Sequence, residues 1–219
     1  MDEFFRQFDS YCERTDLTYW SEPLNALSNL AFIVAAVILW RRTAGMPLAR
    51  TLCAILSVIG IGSYLFHTHA TVWAVILDVV PIGVFVLVYV FLANYRYWSL
   101  PLWTALGATA LFFPYSYLVV QGLDDLPFFR ISAAYWPLPI LIAAYGIALL
   151  RRHPDTGRGL LIGAALLVVS LTFRSLDAVA CDAVPTGTHF AWHLLNAIML
   201  GWMIEVYRRH LLAKAQARR

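Results

Sequence analysis

Three histidines and one aspartate stand in stretches otherwise built from apolar residues. His189 and His193 are four apart in His189-Phe190-Ala191-Trp192-His193, while Gly60-Ile61-Gly62-Ser63-Tyr64-Leu65-Phe66-His67 is followed eleven residues later by Asp78. On a helix, positions four apart lie one above the other on one face. His189 and His193 can therefore hold one metal ion, with His67 supplying a third nitrogen. Three protein ligands and one open position are the usual arrangement of catalytic zinc, which brings the pKa of its water to about 7. Alone, a His-x-x-x-His pair fits imidazoles that satisfy loop groups at a helix end equally well. Finding His67, Ser63 and Asp78 in the same leaflet tips the balance towards a metal.

Asp78 sits between Leu77 and Val79, and an unpaired carboxylate in such a helix costs several kcal/mol unless it is neutralised, paired or next to a metal. It is read as the general base that deprotonates water and returns the proton to a leaving group, with a protonated acid bridging two helices as the structural alternative. Ser63 lies one turn before His67 on the same face. Its hydroxyl can bond back to a carbonyl one turn earlier or, beside a metal, donate to an oxyanion on a substrate carbonyl. Gly60 and Gly62 permit close helix approach. His69 competes with His67 as a ligand, but at helical spacing the two point about 200° apart, so His67 is preferred. His153 and His210 fall in basic clusters and are expected to be solvated.

The elements that must position these groups follow from composition. With 61% hydrophobic and 13% charged residues in 219, the chain is far more apolar than the roughly 45–50% of a soluble domain. It belongs in a bilayer. Hydropathy and length predict an all-α membrane protein, a single domain over 1–219. A preface at 1–22 is followed by seven spans near 23–40, 51–69, 72–94, 100–120, 134–150, 158–179 and 187–207, and by a basic tail at 208–219. The start Met1-Asp2-Glu3 lacks the basic n-region of a cleavable signal, so the first span is expected to serve as the insertion signal. Arg41, Arg42, Arg50, Arg96, Arg151, Arg152, Arg158 and the tail Arg208, Arg209, Lys214, Arg218 and Arg219 collect on one side; Arg6, Arg14, Arg130 and Arg174 fall on the other. The positive-inside rule then places the N-terminus outside and the C-terminus in the cytoplasm. This topology brings Ser63, His67, Asp78, Arg174, Asp177, His189 and His193 to the outward half of the membrane, beside the preface.

Net charge is +3, and no basic stripe interleaved with aromatics points to nucleic acid. The lone lysine, Lys214, lies in the tail, which excludes a retinal Schiff base within the spans. In the preface, Glu13, Asp16 and Glu22 offer hard oxygens suited to calcium, but from spacing alone these acids read better as caps of the helix beginning near Pro23, since Ser21-Glu22-Pro23 places a cap candidate and a proline at its start. Cys53 reads as an apolar filler. Cys12 and Cys181 both fall on the outward face, where a disulfide can persist and would staple the preface to the loop before the last span. Arg174 and Asp177, near one turn apart, are expected to form an ion pair.

Taken in order, Cys12-Glu13, Glu22-x-x-Asn25-x-x-Ser28-Asn29, Gly62-Ser63-x-x-x-His67, Asp78, Asp177-x-x-x-Cys181 and His189-x-x-x-His193 resemble the alkaline ceramidases, part of a superfamily of seven-span hydrolases that includes the adiponectin receptors. The resemblance covers nearly the whole chain. It implies zinc on His67, His189 and His193, Asp78 as acid-base residue with Ser63 beside the metal, and a Cys12–Cys181 pair. It also implies a calcium site that Glu13 and Glu22 join, with Tyr11 in the candidate set and Asp9 or Asp16 as the acid that substitutes for the ligand absent at Ser10. Ser10 departs from the pattern, standing where the eukaryotic enzymes carry an acidic calcium ligand, and the segment from Cys12 to Glu22 is about two residues shorter. Short loops resemble bacterial members, which implies an inner-membrane protein whose site opens to the periplasmic side. The expected activity is zinc-dependent hydrolysis of a ceramide-like or other N-acyl lipid to a fatty acid and an amine. Tyr64, Phe66, Trp73, Phe190 and Trp192 are candidates to line its acyl-chain cavity. The alternative is a receptor or signalling scaffold with a structural metal.

Overall fold

The computed structural model describes residues 2–7 and 9–217; Met1 and the tail residues Arg218 and Arg219 lie outside the described residues. Seven helices stand where the apolar runs predict them: α1 (Pro23–Arg42, interrupted at Asn29), α2 (Pro47–His69), α3 (Val72–Tyr97), α4 (Leu102–Leu123), α5 (Pro137–Leu149), α6 (Pro154–Ala180) and α7 (His189–Gln216). Five of them (α1, α2, α3, α4 and α6) are long and apolar enough to cross a bilayer, so the protein is an integral membrane protein. The 13 residues of α5 rise only about 20 Å. The 28 residues of α7 are interrupted by His189, His193, Asn196 and Glu205.

Helices suit this solvent because each satisfies its own backbone hydrogen bonds, which lipid cannot do. Prolines open α1, α2, α5 and α6, at first-turn positions where a missing N–H costs nothing. Phe32, Leu52, Leu56, Ile59, Leu167, Leu171 and Ile204 fill the centre of the bundle, where α1, α2, α6 and α7 meet. Val34, Val37, Ile61, Val80 and Leu118 face outward, as lipid requires.

A close backbone approach between α2 and α3 sets the site. A β-carbon on Gly62 would overlap the Leu77 carbonyl oxygen, so only glycine fits there. Pro81 has no N–H to give that same carbonyl four residues back, which leaves the oxygen free to lie against the neighbouring helix. The contact brings Ser63, next to Gly62, opposite Asp78, next to Leu77. Gly62→Ala is therefore expected to cost about 1–3 kcal/mol through forced separation of the helices. Gly83→Ala, on the same α3 with open space around it, should be neutral or stabilising; thermal unfolding in detergent compares the two.

The two ends of the bundle differ in chemistry. At one end the preface, the start of α1, the end of α2 and the start of α7 gather the histidines and carboxylates. At the other, Glu205 is ringed by Arg42, Arg208 and Arg209, while Lys214 donates to Ser99. His210, expected to be solvated, is instead buried there; it bonds Thr156 and the Arg96 carbonyl, because α6 and α7 close over it.

Candidate active site

His67 comes from the last turn of α2, and His189 and His193 from the first two turns of α7. All three are buried, and one ring nitrogen of each lies within 4.8 Å of the others. Ring centroids are 5.2 Å apart for His67 and His189, 4.7 Å for His67 and His193, and 4.6 Å for His189 and His193. Among the described residues, this is the group of side chains close enough to share one ion.

Hydrogen bonding sets which nitrogen faces inward. His67 donates from Nδ1 to Glu22 Oε2 at 2.6 Å, which leaves the Nε2 lone pair free. The Ser28 hydroxyl spends its proton on the Asn25 carbonyl at 2.8 Å, so it must accept from His193 Nδ1 at 2.7 Å, and Nε2 is again left free. Nε2 of His67, Nε2 of His193 and Nδ1 of His189 are buried with no protein partner. Buried, unpartnered imidazole nitrogens are costly without a ligand, and three histidines this close together could hold a metal ion. The residues fit a metal ion.

Asp78 lies on the adjoining face of α3, partly buried, within electrostatic reach of the Ser63 hydroxyl, the His67 ring and the Arg174 guanidinium. A cavity of about 220 Å³ opens beside it, walled by Tyr11, Phe66, Asp78, Tyr135, Arg174, His189 and Trp192. Of the aromatics expected to line such a cavity, Phe66 and Trp192 do so; Tyr64, Trp73 and Phe190 are not among its walls. A larger cavity of about 310 Å³, between the start of α6 and the end of α7, has no comparable donor set.

Two connections fix the His189 end of α7. Asp177 receives the backbone N–H groups of Thr188 and His189 on Oδ1 and of Cys12 on Oδ2, at 2.7, 2.9 and 3.1 Å. It thus caps α7 at His189, the first histidine of the group, and Gly187, with φ of +62°, makes the turn into that cap. The Cys12–Cys181 disulfide, Cα–Cα 5.3 Å, fastens the preface to the same corner. The expected Arg174–Asp177 ion pair does not form. Arg174 turns the other way, to Ile131 O and Ser132 Oγ and over the rings of Tyr135 and Trp192, because three amides already hold Asp177.

The expectation that an acid of the preface caps α1 is met by Glu13. The Ser21 hydroxyl receives the N–H of Thr15 and Asp16, while Glu13, eleven residues ahead of Leu24, takes the helix N–H groups of Leu24 and Asn25 on its two oxygens at 2.6 and 2.7 Å. The calcium candidates Asp16, Tyr11 and Glu22 each also have a contact within the protein. Asp16 accepts from Thr18 N–H and Oγ1, which hold its exposed carboxyl below the usual value. Tyr11 stacks on His189 with centroids 3.7 Å apart. Glu22 takes Arg14 on Oε1, and His67 and Asn25 on Oε2. Burial opposes its charge, but His67, Asn25 and Arg14 together hold the Glu22 carboxyl below the usual range. His69 lies outside the histidine group, its ring against Tyr19 and Trp73.

The sequence reading assigned no site role to Ser28, Asn25 or Arg174. The three-residue spacing of Glu22, Asn25 and Ser28 places them along one helical face, and was the available signal for the first two. A lone arginine at the outward end of an apolar helix was the signal for the third.

Fold and site define an integral membrane protein with a buried three-histidine centre able to hold a metal ion beside a carboxyl group. The sequence model of the Ceramidase family matches residues 10–218, nearly the whole length, and the chain belongs to that family, which implies a hydrolase acting on lipid amides. A search of curated proteins gives no match.

Proposed function

We propose that the protein is a zinc-dependent amidohydrolase of ceramide-like or other N-acyl lipids, working in the outward half of the membrane. The observation that carries this reading is the group of three buried histidines, each with an unpartnered ring nitrogen and all close enough to share one ion. His67, His189 and His193 would hold the zinc; when bound, it supplies Lewis acidity that makes water acidic near neutral pH and polarises an acyl carbonyl.

The protein's own groups do the rest. Asp78 accepts a proton from the attacking water as the new carbon–oxygen bond forms, then delivers it to the nitrogen as the carbon–nitrogen bond breaks, releasing fatty acid and free amine. Ser63 donates a hydrogen bond where negative charge develops on the acyl oxygen. Phe66, Trp192 and Tyr135 exclude water from the amide. A cavity of about 220 Å³ takes the amide and its neighbours, and exposed Val79 on its wall lets the hydrocarbon chains extend into lipid.

The polar asymmetry of the bundle supports seven spans with the N-terminus outside and the arginine-ringed Glu205 end in the cytoplasm, as the positive-inside rule gives. In a bacterial cell this puts the site on the periplasmic side of the inner membrane. Metal analysis of the purified protein, paired with mass spectrometry of N-acyl lipids before and after incubation, tests the reading. About one zinc per chain and release of a fatty acid are expected; protein that carries no transition metal after gentle purification and releases no fatty acid overturns it.

A further inference from the structure

Arg14 is among the least exposed charged residues of the molecule, at 4%, although it belongs to a preface whose other basic residue among those described, Arg6, is exposed. Its guanidinium donates to four oxygens from two stretches of chain, residues 16–22 and the end of α2. Nε reaches Glu22 Oε1; Nη1 reaches the carbonyls of Asp16 at 3.1 Å and Thr18 at 3.5 Å; Nη2 reaches the carbonyl of His67 at 2.9 Å. One carboxylate and three backbone carbonyls around a buried positive charge are the oxygen set that a hard divalent ion would collect. Here an arginine side chain is already inside it.

The calcium site implied by the family resemblance does not fit these residues. Ser10 brings no carboxylate, both oxygens of Glu13 are spent on the start of α1, and Asp16 turns its carboxylate to Thr18. A second positive centre in the same place would meet the guanidinium at close range.

We propose that Arg14 is the resident cation of the preface, holding Glu22 and the end of α2 as a bound calcium ion otherwise would, so that the protein neither binds nor needs calcium. Arg14 is a positioning residue. It orients Glu22, whose other oxygen receives His67 Nδ1, and it grips the His67 carbonyl, so it acts on that ring from both the backbone and the side chain. A planar fork with five donors can hold such a spread of acceptors; the compact ammonium of lysine cannot. The effect on the metal rests on the zinc reading above, whereas calcium independence does not.

The test uses the full chain in detergent or nanodiscs. For the native protein, radioactive calcium binding and thermal unfolding with and without calcium chloride are measured. No stoichiometric binding and no shift in unfolding temperature are expected; one calcium bound per chain, with a raised unfolding temperature, overturns the proposal even if zinc and hydrolysis are intact. For Arg14→Lys and Arg14→Gln, zinc affinity is measured by competition with a coloured chelator, and the ligand-field spectrum is recorded on cobalt-loaded protein. Both variants should bind zinc about tenfold more weakly, the lower end of the effect of groups that orient a metal ligand, with a changed cobalt spectrum. Unchanged affinity and spectrum in folded variants overturn the positioning role. If both variants fail to fold, the calcium measurements on the native protein still decide. Native protein that takes up neither zinc nor cobalt removes the zinc reading and the positioning role that rests on it, while the calcium measurements still decide whether Arg14 is the resident cation.

Discussion

Asp78→Asn is expected to lower turnover of an N-acyl lipid by about 100- to 10,000-fold while zinc content stays at its native level. Asparagine keeps the size of the side chain and can still accept from Ser63, so the packing between α2 and α3 that Gly62 permits should survive. What it loses is the ability to take a proton from water and return it to the departing nitrogen. Asp78 is not one of the three imidazole donors, which is why metal retention separates this variant from one that disrupts the site. Fatty acid release by mass spectrometry, with zinc measured on the same preparation, checks both halves. A receptor or scaffold with a structural metal predicts the opposite pattern, since signalling through helix packing should tolerate an isosteric change.

His193→Ala should abolish both activity and stable zinc binding, with a fall in unfolding temperature that added zinc no longer reverses. Removing one of three imidazoles leaves two donors, fewer than the three protein ligands usual in catalytic zinc sites, and opens a hole beside Phe32 and Ser28. A native site filled at a hundredfold excess over its dissociation constant contributes about 2.7 kcal/mol of stability, and the variant forfeits that linkage. His69→Ala is the control. Its ring lies outside the group, against Tyr19 and Trp73, so zinc content and turnover should not change. Loss of zinc in His69→Ala but not in His193→Ala would mean that the ligand set is wrong.

Much of the architecture was legible before any coordinates, for reasons that are local. A run of about 20 apolar residues has few other places to go than across a membrane, and each run here became a helix close to its expected bounds. Proline at a first turn marks where a helix begins, and it does so for α1, α2, α5 and α6. The fixed 3.6-residue period put His189 over His193 and Ser63 one turn from His67, so part of the candidate site could be read by counting.

Partnership between distant pieces of chain was not legible. Counting offered the acids of the preface as caps of α1 but could not show which of them would serve, since the Glu13 carboxylate arrives from eleven residues away by way of a turn. Nor could it show that Asp177 would leave Arg174 for three backbone amides, or that His210 would be buried. Each outcome depends on which donors end up beside a desolvated acceptor, and that competition is settled only when the helices pack.

By itself, then, the sequence determined the kind of solvent, the approximate placement of the long apolar helices, and which imidazoles could share a face. The tertiary structure alone decided that Glu22 and Ser28 select the inward nitrogens of His67 and His193, and that a guanidinium fills the oxygen cage of the preface. The physical reason is range. Periodicity and hydropathy act over a few residues, whereas a buried charge must find its partner wherever folding brings one, here across the 53 positions that separate Arg14 from the His67 carbonyl.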